Sequence, residues 1–194
     1  EDGFFLLSYV PPPPSTQAAP RSARDLVVLF DTSLSRSPDL YRAQIAALRK
    51  LLGWQKADDR LAVISFDASP RLHHQSFQRA GATDALLAEL SNIVPLGGTD
   101  LEKAFMALDA WLKANPPQNR LDVVFLGDGM ASLGEMRAEK LAALGQEILE
   151  RHKARLHALP IGAQYDPLLL RELARVTGGL FRAVQPGESL EEEA

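Results

Sequence analysis

Continuous apolar runs alternate with amphipathic stretches along most of this chain. The runs are typical of strands buried on both faces of a sheet, and they are 26–30, 61–66, 121–127, 155–162 and 180–184. A more polar run, RLHHQSF at 71–77, is typical of an edge strand. Between these runs, apolar residues at helical spacing predict helices over 37–53, 84–91, 100–114, 136–152 and 167–179.

Strands that alternate with helices of this length predict an α/β fold in three layers. We expect a mostly parallel six-stranded sheet with one antiparallel edge strand, and helices on both faces. This domain covers 25–186. Residues 1–10 are interpreted as the terminal strand of a preceding domain or as an accessory strand, 11–24 as a Pro-rich linker and 187–194 as an acidic tail.

Composition narrows the function classes. The chain has 194 residues, 46% hydrophobic and 24% charged, with a net charge of −4, which is typical of a globular domain and not of a nucleic-acid-binding surface. There are no cysteines, which excludes disulfides, thiolate zinc sites and a cysteine nucleophile. Because the chain begins at Glu1 and not at Met, we expect it to be a fragment of a longer protein.

Three polar loops lie at the ends of predicted strands or at the start of a helix. They are Asp31-Thr32-Ser33-Leu34-Ser35, Gly97-Gly98-Thr99-Asp100 and Gly127-Asp128-Gly129. The first and third loops follow strongly apolar runs, so Asp31 and Asp128 leave the carboxyl ends of buried strands. Ligands of open parallel sheets bind beyond these ends, where the strand order reverses. We therefore expect the three loops to surround one point.

The side chains of these loops offer only oxygen to a ligand. The set contains two carboxylates and three hydroxyls, from Asp31, Asp128, Ser33, Ser35 and Thr99. Such hard donors favour Mg²⁺, Mn²⁺ or Ca²⁺ over zinc or copper. A cation held by few carboxylates stays electrophilic and is able to accept one more carboxylate from a partner.

The three motifs together resemble the metal-ion-dependent adhesion site (MIDAS) of von Willebrand factor A domains, whose fold is Rossmann-like. The resemblance rests on DxSxS at 31–35, GGT at 97–99 and DG at 128–129, and it extends over about 24–186. It implies an intact site in which Asp31, Ser33, Ser35, Thr99 and Asp128 hold the metal. DxSxS alone would be weak evidence, because Asp and Ser are ordinary turn residues.

A narrower resemblance concerns the two ends of the chain. GFFLLSYVPP at 3–12 is similar to the end of the vault/inter-α-trypsin (VIT) domain that precedes the A domain in proteins like the inter-α-trypsin inhibitor heavy chains. GGLFRAVQPGESLEE at 178–192 is also similar to that group. The resemblance implies an origin in a VIT and A-domain protein.

The first motif departs from the family pattern at two positions. The family often has Gly and Met around the second Ser, and Leu34 and Arg36 stand here instead. Leu34 is not at a ligand position, so metal binding is expected to survive. Its bulk is expected to narrow the partner face, and Arg36 is expected to attract an acidic partner.

These features favour a binding module over an enzyme. The expected partner is a protein that presents an acidic residue, and the domain is expected to be monomeric, without membrane insertion. An intracellular regulatory or scaffold domain beside an ATPase complex is an alternative, as is a Mg²⁺-dependent phosphoesterase, although the chain has no GxxxxGK[ST] motif. An extracellular, periplasmic or cell-surface location is favoured over the cytoplasm.

Overall fold

The computed structural model describes residues 22–79, 81 and 83–187. The segment interpreted as a terminal or accessory strand, nearly all of the Pro-rich linker and all but the first residue of the acidic tail lie outside the described residues. The strands are β1 (Arg24–Asp31), β2 (Arg60–Phe66), β3 (Pro70–Leu72), β4 (Gln78–Arg79), β5 (Arg120–Leu126) and β6 (Arg155–Ala158). The helices are α1 (Pro38–Gly53), α2 (Asp84–Ser91), α3 (Leu101–Ala114), α4 (Ala138–Arg151) and α5 (Pro167–Thr177).

The strands form one six-stranded sheet in the order β3-β2-β1-β5-β6, with β4 also paired to β2. β2, β1, β5 and β6 run parallel, while β3 and β4 run antiparallel to β2. This confirms the predicted α/β fold with a mostly parallel sheet. The chain adds β2 on one side of β1 and later β5 on the other, so the strand order reverses between β1 and β5. The loops that follow these two strands therefore lie at the reversal point.

Helices cover both faces of the sheet because successive side chains of a strand point to opposite faces. On β1, Val27 and Leu29 pack with α3, α4 and α5. Leu26, Val28 and Phe30 point the other way and pack with α1 and α2. No helix among the described residues is long and apolar enough to cross a membrane.

The predicted edge strand 71–77 is replaced by the two short strands β3 and β4. A side chain explains the gap, because His74 Nδ1 accepts a hydrogen bond from Val63 N–H at 3.1 Å, which a carbonyl of a paired strand would otherwise accept. His73 also turns inward, and its Nε2 lies 2.8 Å from Ser65 Oγ. His74 thus interrupts the predicted edge strand, one residue after His73, whose N–H still donates to Val63 O at 3.1 Å.

The run 180–184 was predicted to be the last strand, but it makes only two isolated bridges, Phe181 to Ala158 and Val184 to Ile161. Pro160 lies between the two bridged positions and has no N–H to donate. The carbonyl of Pro160 still accepts a hydrogen bond from Val184 N–H at 2.9 Å. The proline also explains why β6 ends at Ala158 and does not continue to residue 162.

Candidate metal centre

The two carboxylates of the centre lie at the ends of the two central strands. Asp31 is the last residue of β1, and Asp128 lies two residues after β5 ends at Leu126. Phe30 pairs with Leu126, so the adjacent register brings both aspartates to the same edge. Asp31 is 0% exposed and Asp128 is 1% exposed. Two carboxylates buried side by side are unfavourable unless positive charge or hydrogen-bond donors compensate them.

Asp31 is only partly compensated. Its Oδ1 accepts a hydrogen bond from Ser33 N–H at 2.8 Å, but its buried Oδ2 has no hydrogen-bond partner. Burial, and next the negative charge of Asp128, raise the pKa of Asp31 to about 6, against the opposing effects of Ser33 and Arg36. The Oδ2 atom is therefore an oxygen that is ready to accept a cation or a donor.

The loop after β1 is fixed from three sides. Thr32 N–H donates to Phe66 O at 2.8 Å, and Leu34 N–H donates to Gly97 O at 3.0 Å. Gln44 on α1 donates to the backbone carbonyl of Asp31 at 2.7 Å. These contacts tie the first loop to β2, to the second loop and to α1, so its side chains are held in place before any ligand binds.

The hydroxyls of the first loop face each other. Ser33 Oγ lies 2.8 Å from Ser35 Oγ, and either hydroxyl is able to donate. Ser33 is buried and Ser35 is exposed. The pair therefore forms a path of oxygen atoms from the buried Asp31 carboxylate toward solvent.

Hydrogen bonds hold the backbone of Thr99 against the chain segment that follows β5. Its N–H donates to Ser132 Oγ at 2.8 Å. Its carbonyl accepts from Ser132 N–H at 3.0 Å and from Leu133 N–H at 3.1 Å. Gly98 makes the close approach possible, because a Cβ there would lie 2.7 Å from Ser132 Oγ. Thr99, Ser35 and Asp128 line one cleft of about 650 Å³.

Both carboxylate oxygens of Asp128 already have donors. Oδ1 accepts from Met130 N–H at 2.9 Å, and Oδ2 accepts from the guanidinium of Arg36. The glycine before it is required by its neighbour, because a Cβ on Gly127 would lie 2.6 Å from the Cβ of Asp31. The third loop thus packs directly against the first.

The structure corrects the expectation for Arg36. Its side chain is 1% exposed and forms an ion pair with Asp128 within the centre, so it is not available at the surface to attract an acidic partner. The same guanidinium donates to the backbone carbonyl of Ile161 at 3.1 Å. The physical reason is the charge of the site, because two buried carboxylates favour a cation beside them.

The donor set fits a hard divalent cation. Asp31 offers a buried carboxylate oxygen without a partner, and the hydroxyls of Ser33 and Ser35 lie in the same loop. Within 22–79, 81 and 83–187, no group of three or more His, Cys, Asp or Glu side chains is placed to hold a metal. A cation here would therefore depend on hydroxyl oxygens beside two carboxylates, as hard oxygen-preferring cations allow.

Two residues of the centre, Gln44 and Ser132, were missed by the sequence motifs, and Gly127 was part of a motif whose steric reason the sequence did not reveal. For Gln44 a signal exists, because it lies between Tyr41 and Leu48 on the buried face of α1 and is a polar residue at an apolar position. Ser132 and the demand on Gly127 depend on contacts between separate loops. The local sequence carries no signal for either of them.

Comparisons with known proteins agree with this architecture. A family model for the von Willebrand factor type A domain matches residues 26–131. The von Willebrand factor type A protein from Catenulispora acidiphila has a similar structure with a TM-score of 0.69, at 16% identity over 84% of this chain and 39% of that chain. BatB from Bacteroides thetaiotaomicron gives a TM-score of 0.64, at 14% identity over 86% of this chain and 92% of that chain.

Proximal thread matrix protein 1 (PTMP1) from the mussel byssus has been solved with a zinc-occupied MIDAS motif. Its structure gives a TM-score of 0.64, at 17% identity over 83% of this chain and 41% of that chain. The present chain thus spans about two fifths of the length of the mussel and Catenulispora chains, 41% and 39% respectively. A comparison with curated proteins finds no match.

Proposed function

This chain belongs to the von Willebrand factor type A domain family, and from that premise we propose that it is a metal-dependent interaction module and not an enzyme. Asp31, Ser33, Ser35, Thr99 and Asp128 hold the cation, which is Mg²⁺ or, in its place, Mn²⁺ or Ca²⁺. When bound, the cation supplies an electrophilic centre for an acidic side chain of a protein partner.

The observation that carries this proposal is the unpaired Oδ2 of Asp31. Buried carboxylate oxygens are ordinarily hydrogen-bonded, and those without a partner require an explanation. Here the atom lies in the same loop as two hydroxyls and is fully buried. A divalent cation would satisfy it and would balance the second carboxylate as well. The zinc-occupied MIDAS of the mussel protein is consistent with this use of the fold.

The surface around the cleft supports a protein partner. Leu34 and Met130 line the cleft and are 66% and 49% exposed. Leu133 is exposed as well, and its side chain lies beside Gly98. Large apolar side chains exposed around a polar centre are typical of interaction surfaces. The preferred partner segment therefore has an acidic residue flanked by apolar ones.

The lining of the cleft supports binding over catalysis. Among the described residues that line it there is no His, Lys or Glu, and the two charged side chains that do line it, Arg36 and Asp128, are paired with each other. Metal-dependent hydrolysis of a generic phosphomonoester that disappears in Asp31→Ala would contradict this part of the proposal.

Calorimetric titration with Mg²⁺, Mn²⁺ and Ca²⁺ tests the metal site. The unaltered chain should bind at least one of these cations, and Asp31→Ala should lose about a hundredfold or more in affinity. Asp39→Ala is the matched control, because Asp39 is an exposed acid at the start of α1, and it should bind like the unaltered chain. Equal binding by Asp31→Ala, or no binding by the unaltered chain, would overturn the site.

A pull-down tests the partner class. The unaltered chain should retain a partner in Mg²⁺ and release it in chelator, while Asp31→Ala should retain none under either condition. A partner that binds equally with chelator and to Asp31→Ala would show that the cleft is not the contact surface.

A further inference from the structure

Arg36 supplies a positive charge inside the centre. It directly follows the DxSxS motif, and its guanidinium bridges Asp128 Oδ2 and the carbonyl of Ile161. The side chain is buried and lines the same cleft as Ser35, Thr99 and Asp128. The positive charge beside the candidate metal ligands is therefore the guanidinium of Arg36, a side chain of this protein.

The hydrogen bonding around the Arg36–Asp128 ion pair is incomplete, whereas that around the Arg60–Asp25 ion pair is not. At the other end of β1, Asp25 accepts five hydrogen bonds, two of them from Arg60. At the metal centre, Arg36 Nε and Asp31 Oδ2 are both buried without a partner. A donor and an acceptor left unpaired at one site show that the arginine satisfies the two carboxylates only in part.

The charges of the site make the arginine and a divalent cation alternatives. Asp31 and Asp128 bring two negative charges when ionised, and Arg36 brings one positive charge. A divalent cation in addition to Arg36 would leave an excess of positive charge in a buried space, which is unfavourable. Without Arg36, the same cation and the two carboxylates balance.

We propose that Arg36 is a built-in competitor of the divalent cation: it holds Asp128 in the metal-free domain and withdraws from Asp128 when a cation binds. This inference rests on the proposed function, because it concerns the same oxygen ligands. It makes Arg36 a residue that sets metal affinity, so that the domain binds its cation more weakly than the same ligands would without the arginine.

Withdrawal of Arg36 has a second effect at a distance from the ligands. The carbonyl of Ile161 loses its guanidinium donor, and this carbonyl belongs to the peptide unit whose N–H is that of Gly162. Gly162 lies in the segment that leads from β6 to α5, and its N–H donates to Val184 O at 2.9 Å. Metal binding is therefore reported by the Gly162 amide.

Calorimetry on the full chain with Mg²⁺ compares the unaltered protein with Arg36→Met and Arg42→Met. Methionine keeps an unbranched side chain and removes the charge, and Arg42 is an exposed arginine of α1 that pairs with the exposed Asp39. Arg36→Met should bind Mg²⁺ about tenfold tighter or more, while Arg42→Met should bind like the unaltered chain. Without metal, Arg36→Met should also melt at a lower temperature, and saturating Mg²⁺ should abolish that difference.

The outcomes separate the two proposals. If the unaltered chain binds Mg²⁺ and Arg36→Met binds equally or more weakly, the competition is overturned and the metal site stands. If Arg36→Met binds and the unaltered chain does not, the competition is supported and the proposed function fails for this chain. If neither variant binds, both proposals are overturned.

A ¹⁵N-resolved Mg²⁺ titration of the unaltered chain keeps the inference falsifiable where Arg36→Met fails to fold. The Gly162 amide resonance should shift on saturation, and in a folded Arg36→Met protein it should start near the saturated position. A resonance that stays unchanged at saturating Mg²⁺ would show that Arg36 does not leave Ile161.

Discussion

β1 and β5 each carry one buried aspartate near the amino end, and a second buried aspartate lies at the carboxyl end of β1 and two residues beyond that of β5. The hydrogen bonding of these carboxylates differs between the two ends. Asp25 and Asp122 at the amino end are held by arginines and other donors, which keep the pKa of each at about 2, even though burial alone would raise it. Asp31 at the carboxyl end has an unpaired oxygen and a pKa raised to about 6. All of them are buried, so burial alone does not distinguish a candidate metal ligand from a structural carboxylate. What distinguishes Asp31 is a carboxylate oxygen without a donor, at an end where one arginine lies beside two carboxylates.

The largest effect is expected at the amino end. Asp25→Ala should lower the free energy of unfolding by about 4 kcal/mol, because it leaves Arg60 without its carboxylate and two backbone N–H groups without their acceptor. Urea denaturation measures the loss, and Asp39→Ala should stay within about 0.5 kcal/mol of the unaltered chain. Mg²⁺ affinity should be unchanged in Asp25→Ala. A change in affinity would show that the two ends are not independent.

The same type of substitution should have the opposite sign at the two ends of β1. In chelator, Asp31→Asn should raise the free energy of unfolding by about 1 kcal/mol, because it removes one of two buried negative charges that share a single arginine. Asp25→Asn should lower it. Denaturation of both variants in chelator makes the comparison, and destabilisation by both would mean that the metal-free centre has no deficit of donors.

An effect of similar size for each group concerns acid stability. The folded-state pKa of Asp25 and of Asp122 is about 2, lowered from 3.8, so each stabilises the fold fully above about pH 4 and loses this effect as the pH falls toward 2. We expect a loss on the order of 1 kcal/mol for each group, because the arginines around them are partly exposed and solvent screens their charges.

Denaturation of the unaltered chain and of Asp25→Asn across this pH range tests the amino-end assignment. The slope of stability against pH should be shallower in Asp25→Asn, because the variant has lost one of the carboxylates whose pKa is lowered on folding. Equal slopes would show that Asp25 does not titrate on unfolding.

The sequence predicts what depends on local pattern and on topology. β1 and β5 are continuous apolar runs, and strand order places the residues after them at one edge, so the α/β fold and the shared position of Asp31 and Asp128 follow from the pattern. The assignment of the five ligands stays a prediction that metal titration decides. The family itself could be identified because three short motifs occur in order, two directly after a buried strand and one directly before a helix.

The rest depends on contacts that no local window contains. Arg36 meets a carboxylate 92 positions away and a backbone carbonyl 125 positions away, so its burial cannot be inferred from the residues beside it. The interruption of the edge strand by His74 depends in the same way on a side chain that replaces a backbone acceptor. Pro160 did offer a local warning, since a proline within an apolar run disfavours a continuous strand.

The position of β1 in the sheet has a mechanical consequence. β1 is hydrogen-bonded on both sides to parallel neighbours, over seven paired positions with β2 and seven with β5. A pull between the amino end of β1 and a partner bound at the carboxyl edge acts along the strand axis. Such a pull shears the hydrogen bonds between β1 and its two neighbours. These hydrogen bonds then share the force and do not open one after another. A partner that docks at this edge, as proposed, would therefore pull along the direction in which the hydrogen bonds of both strand pairs resist together.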